Sequence, residues 1–145
     1  MKLQSLGPRA FVVDALKPDD NESNSAAALA SGLRMRLWAL DARVCDVAVL
    51  TDRERIRTIL HETALSGGAT VVGEEFCVFP NDAVTGVLVL AQSHLSIHTW
   101  PERSLVNVDL LSCGDLPGEQ MLRSVARQLR AEHVTITSVP RGPWS

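Results

Sequence analysis

Apolar and polar residues alternate with a period of two over several stretches of the chain, the signature of half-buried strands. VTGVLVLA (84–91), SHLSIHT (93–99) and LVNVDLL (105–111) read this way, and ATVVGEEFCVF (69–79) and HVTITSV (133–139) are also strand-like. The links between them are short, which favours antiparallel pairing. Further upstream, AFVVDA (10–15), apolar and β-branched after Gly7 and Pro8, predicts another short strand. KPDDNESNS (17–25) is polar and full of turn formers, and reads as a loop. LRMRLWAL (33–40) alternates apolar residues with Arg34 and Arg36, which predicts an edge strand. VCDVAVL (44–50) would pair with it through a DAR turn, a helix over 26–38 being the alternative.

Two stretches follow the helical period instead. Ile56, Ile59, Leu60, Thr63 and Ala64 fall on one face, predicting a helix over about 52–65. Thr51 and Glu54 form a T-x-x-E capping box before it, and Gly67 and Gly68 end it. Pro117 opens a second helix with Met121, Leu122, Val125 and Leu129 on one face. Antiparallel strands with two helices predict an α+β fold, a two-layer sandwich with both helices on one face of the sheet. The other sheet face would then need cover, which a second copy of the chain would supply.

Composition narrows the class. The 145 residues fit one domain, and 46% are hydrophobic, enough for a core. The net charge of −3 and the absence of tyrosine argue against a nucleic-acid partner. The longest apolar run, at 84–91, is too short for a membrane span, and the N-terminus lacks a signal-peptide pattern. Three cysteines, Cys45, Cys77 and Cys113, form no pairing pattern and fit a reducing cytoplasm.

One segment, AQSHLSIHTWPE (91–102), is crowded with reactive groups. His94 and His98 have the spacing of a metal pair on a helix, but on a strand they stand about 13 Å apart, too far to share an ion. No metal is therefore expected. Cys113, at a strand end before a Gly-Asp turn, reads either as a small buried residue or as a general acid or nucleophile beside a histidine. Ser93 raises a third chemistry. A serine hydroxyl can attack the carbonyl of its own preceding peptide bond, and loss of the α-proton then splits the chain. Such a step needs a strained turn, a donor for the oxyanion and a base.

The motif itself is more specific than any of these residues alone. QSHLSIHTWPE resembles the processing site of the prokaryotic S-adenosylmethionine decarboxylase proenzymes, ESH-[IL]-x-IHTWPE. FCVFPNDAVTGVLVLA is similar to that family's FHxF…GV[ST]GVVLLA, VDLLSCGD to its VD[VL]FTCGD, and GGATVVG to the turn and strand upstream. The likeness runs nearly continuously over 67–139 and more loosely over 9–14, where AFVVD resembles the opening strand.

The resemblance implies autocatalytic serinolysis between Gln92 and Ser93, giving a β chain of 1–92 and an α chain of 93–145. Ser93 would become a pyruvoyl group, the only cofactor. His98 would be the processing base, Thr85 would hold the ester intermediate, and Cys113 would be the proton donor. Phe79 and Glu102 would bind substrate, through the adenine and the ribose. The pyruvoyl ketone would take the substrate amine as a Schiff base and accept the electrons left by loss of CO2. The family fold is a two-layer sandwich that dimerises through its sheets, and its product is the aminopropyl donor for spermidine synthesis.

Four departures stand out. Gln92 replaces the usual glutamate, Cys77 replaces the histidine of FHxF, residues 103–107 replace an aromatic and small-residue stretch, and 17–50 do not align. Ornithine or arginine are therefore alternative substrates, and a non-processing regulatory paralogue an alternative role. Retained Phe79 and Glu102 favour S-adenosylmethionine. Parity leaves one difficulty: Ser93 and His98 differ by five, so a regular strand points them to opposite faces. Either a bulge intervenes or the bond before Ser93 lies in a turn outside the strand.

Overall fold

The structure, a computed structural model, describes residues 34–142. Six strands form one antiparallel sheet: β1 (Met35–Arg43), β2 (Val71–Val78), β3 (Val84–Leu90), β4 (Ser93–Trp100), β5 (Leu105–Cys113) and β6 (Glu132–Arg141). Their order across the sheet is β2-β3-β4-β5-β1-β6. Among the described residues three α-helices and one 3-10 turn (Pro101–Arg103) accompany them: a short α1 (Val47–Leu50), α2 (Arg53–Ser66) and α3 (Gly118–Gln128). No helix among the described residues is long and apolar enough to cross a membrane.

The two long helices pack on one face of the sheet, as the patterning predicts. From α2 come Ile56, Ile59, Leu60, Thr63 and Ala64, and from α3 Met121, Leu122, Val125 and Ala126, all buried. Against them the sheet sets Leu40, Leu88, Leu95, Ile97, Val108 and Leu110, each nearly without solvent contact. Burying a side chain of this size contributes roughly 1.5–3 kcal/mol, so this face holds the fold together. The glycine stop is used twice. Gly67 caps α2 so close to Met121 that a Cβ there would lie 2.6 Å from the Met121 sulfur, and Gly68 turns the chain at φ 80°.

Upstream of α2 the chain departs from expectation in three ways. LRMRLWAL opens an interior strand, not an edge, since β1 lies between β5 and β6. Its arginine is accommodated because Arg36 lies over the Trp38 ring and donates to Ser138 Oγ at 2.8 Å. The DAR segment continues this strand through Arg43, and 47–50 form a helical turn rather than a strand. There the Asp46 side chain accepts from the Ala48 backbone N–H, a local bond that outweighs the β-branched run. The cap of α2 is Asp52, accepting from Arg55 N at 3.0 Å, not Thr51. The strand expected at 10–15 and the loop at 17–25 lie outside the described residues.

Candidate active site

The reactive segment is the β3–β4 hairpin and the strand that follows. Leu90 pairs with Ser93, leaving Ala91 and Gln92 as a two-residue turn. Gln92 has φ 58°, the left-handed region that a side-chain-bearing residue occupies at a cost of order 1–3 kcal/mol. The peptide bond before Ser93 thus follows a strained residue in a turn. β4 runs from Ser93 to Trp100 without a bulge, so the parity difficulty resolves by the turn.

Register then brings the first partner. β4 and β5 pair with His94 opposite Leu111, and two residues further along each strand the same register places Gln92 opposite Cys113. The Cys113 thiol donates to the Gln92 carbonyl oxygen at 3.0 Å. Burial pushes this thiol above its ordinary value of 9.0, which keeps it protonated and able to donate at neutral pH. Ser93 Oγ is buried and has no hydrogen-bond partner. A free hydroxyl, a strained turn and a donor on the adjacent carbonyl therefore meet at one peptide bond. These are groups that an N→O acyl shift uses.

The second group stands elsewhere. Thr85 pairs with His98 across β3 and β4, and Thr85 Oγ1 lies 3.0 Å from His98 Nδ1. That bond leaves the imidazole Nε2 as the nitrogen available for proton transfer. Phe79 and Glu102 lie at the same end of the sheet, on the loops after β2 and β4. Phe79 is half exposed, and Glu102 Oε2 accepts from Asn81 Nδ2 at 3.3 Å. Five residues of extended chain put this group about 16 Å from Ser93. Parity holds as well. Ser93 shares the helix-facing side with Leu95 and Ile97, whereas His98 shares the open side with His94, Ser96 and Trp100. His94 and His98 stand on a strand, so the helical spacing that a metal pair requires is absent.

The residues expected to cooperate thus form two clusters, Ser93 with Cys113 and Thr85 with His98, Phe79 and Glu102. The open sheet face joins them and carries half-exposed apolar residues, among them Leu37, Val87, Val89, Leu111 and Val139. A polar group unforeseen from the sequence lies beside His98. Trp100 Nε1 donates to Asn107 Oδ1 at 2.7 Å, and Asn107 Nδ2 donates to Asp41 Oδ1 at 2.5 Å.

Comparisons with known proteins identify the family and the fold. A model of the family described as S-adenosylmethionine decarboxylase matches residues 36–142. The match begins at residue 36, so it takes in 36–50 and does not reach 10–15. The S-adenosylmethionine decarboxylase proenzyme of Caldicellulosiruptor saccharolyticus is 42% identical over 99 residues, covering 68% of this chain and 80% of that protein. The proenzyme of Pyrococcus abyssi is 32% identical over 106 residues, 72% of this chain and 76% of that one. The crystal structure of the adenosylmethionine decarboxylase from Aquifex aeolicus superposes with a TM-score of 0.70 at 30% identity, covering 77% of this chain and 93% of that chain. With its strand order, its motif-bearing hairpin and these relatives, the chain belongs to the S-adenosylmethionine decarboxylase family.

Proposed function

We propose that the chain is a proenzyme that cleaves itself between Gln92 and Ser93 and then decarboxylates S-adenosylmethionine. The observation that carries this reading is the Cys113 thiol on the carbonyl of the bond before a buried, unpartnered Ser93 hydroxyl. Ser93 Oγ attacks the Gln92 carbonyl carbon and the amide nitrogen leaves it, giving an ester, while Cys113 holds the developing oxyanion. A base removes the Ser93 α-proton, the Cα–H electrons form the Cα=Cβ bond, and the Gln92 carboxylate departs. Hydrolysis of the resulting dehydroalanine releases ammonia. The products are a chain of 1–92 and a chain of 93–145 that begins with a pyruvoyl group. When present, that group supplies a carbonyl for the substrate amine and an electron sink for loss of CO2. Cys113, held protonated by burial, donates the proton that replaces CO2. Phe79 and Glu102 bind the substrate.

The base is His98 Nε2, with Nδ1 fixed by Thr85. Because His98 and Ser93 of one chain are about 16 Å apart, the His98 that serves a given Ser93 comes from a second copy. Two chains pairing through their open sheet faces in antiparallel fashion set the His98 end of each on the Ser93 end of the other. The half-exposed apolar residues of that face support such a homodimer, in which each site is shared. The free cysteines support a reducing, cytoplasmic setting.

Two measurements test the reading. Intact mass of the purified protein should give two chains, and CO2 release should be fastest from S-adenosylmethionine when ornithine and arginine are assayed in parallel. A chain that stays whole removes the pyruvoyl reading, and release from ornithine or arginine alone removes the substrate.

A further inference from the structure

The stretch 103–107, where this chain departs from the motif it resembles, carries one residue placed against the site. Asn107 pairs directly with His98 across β4 and β5 and directly with Asp41 across β5 and β1. Its two amide atoms point opposite ways. Oδ1 accepts the indole N–H of Trp100 at 2.7 Å, and Nδ2 donates to the Asp41 carboxylate at 2.5 Å. This orientation follows from chemistry, since an indole N–H only donates and a carboxylate only accepts. Turning the amide over would lose both bonds.

The chain of bonds therefore crosses three strands, from β4 through β5 to β1, and ends on a charge. It holds a tryptophan that is 42% exposed. An exposed indole ordinarily meets water with its N–H and samples several rotamers. Here the N–H is turned inward, so Trp100 presents only its ring. Trp100 lies on the open side of β4 two residues beyond His98, and Pro101 and Glu102 follow it directly.

We infer that Asn107, anchored by Asp41, is a positioning residue that fixes the Trp100 ring as a wall of the substrate site beside His98. This deepens the proposed function and rests on its reading that the His98 end receives substrate. Fixing the ring before the substrate arrives removes an ordering cost from binding. The effect should fall on KM, because the ring meets substrate and transition state alike, whereas the proton transfers belong to His98 and Cys113.

The test compares three proteins: wild type, N107A and the exchange variant N107D/D41N. The exchange variant keeps the chain of bonds, since Asn at 41 can donate to Asp at 107, which accepts from Trp100. The Trp100 indole N–H is followed by 1H–15N spectra and assigned by its loss in W100F. In N107A its hydrogen exchange should quicken about tenfold and KM should rise about tenfold, with kcat changed by less than about threefold. In N107D/D41N both exchange and KM should stay within about threefold of wild type. An N107A protein whose indole proton stays protected overturns the inference. So does an unchanged KM, or an exchange variant as impaired as N107A. If N107A does not fold, the same two readouts on N107S take its place. A wild-type protein with no decarboxylase activity would overturn the underlying reading, while indole exchange would still decide the clamp.

Discussion

The two ends of β4 differ in what they lack. At the Ser93 end there is a buried hydroxyl, a strained turn and a thiol donor, but the His98 imidazole stands about 16 Å along the strand. At the His98 end there is an imidazole bonded to Thr85, an aromatic, a carboxylate and an indole held by Asn107, but not the strained turn. On the proposed reading each end is a half-site, and sheet register keeps the two apart as firmly as it builds them. In a regular strand no rotamer change brings position 93 to position 98. On the proposed reading, completing the chemistry takes a second sheet.

Substitutions can break the two ends separately. The largest effect belongs to S93A, which removes the attacking hydroxyl and should leave the chain whole on a denaturing gel indefinitely. C113A removes the donor on the Gln92 carbonyl and should slow cleavage about 10²–10³-fold, as loss of an oxyanion donor does elsewhere. At the other end, H98A should slow cleavage about 10²–10⁴-fold, the usual contribution of a positioned base. T85V should cost less, about tenfold, because it removes only the bond that orients the ring, and T85S should restore it. Charge on the connecting face gives a third kind of break. The double variant V89E/L111E should keep the monomer folded but prevent self-association in sedimentation, and with it cleavage.

The pH dependence sharpens the contrast further. Burial raises the Cys113 thiol above 9.0, so the alkaline limb of processing that reports its deprotonation should lie above that pH in wild type and be absent in C113S. The smallest effect belongs to a region away from both ends. Glu74 on β2 accepts from His61 and Arg57 on α2, and these bonds, the one to His61 first, hold its carboxyl below the ordinary 4.5. A lowered carboxyl stabilises the fold above the unfolded value and loses that contribution as pH falls through the folded one. E74Q should therefore lower Tm slightly at pH 7, and the difference from wild type should vanish in more acidic buffer.

Period-two alternation made the β3–β4–β5 core legible, and helical spacing gave the buried faces of α2 and α3. The region before α2 was less legible for local reasons. Arg36 disguised an interior strand as an edge because its bond to Ser138, 102 positions away, is long-range. At 44–50 a single Asp46 side chain outweighed a run of β-branched residues. The family motif around Gln92–Ser93 was legible because it is local. Parity also signalled that Ser93 and His98 point apart, but the separation into two clusters needed the register. The Trp100–Asn107–Asp41 chain was not legible at all, since its members are 7 and 66 positions apart and meet only through pairing across three strands.

The central claim is that the two half-sites meet between chains, and mixing two inactive variants tests it directly. S93A has an intact His98 end and H98A an intact Ser93 end, so a mixed dimer contains one complete site. Co-expression of differently tagged S93A and H98A should yield cleavage of the H98A chain at Gln92–Ser93, read by intact mass, although neither variant is processed at an appreciable rate alone. If mixed dimers form and both chains remain whole, the shared-site account is contradicted.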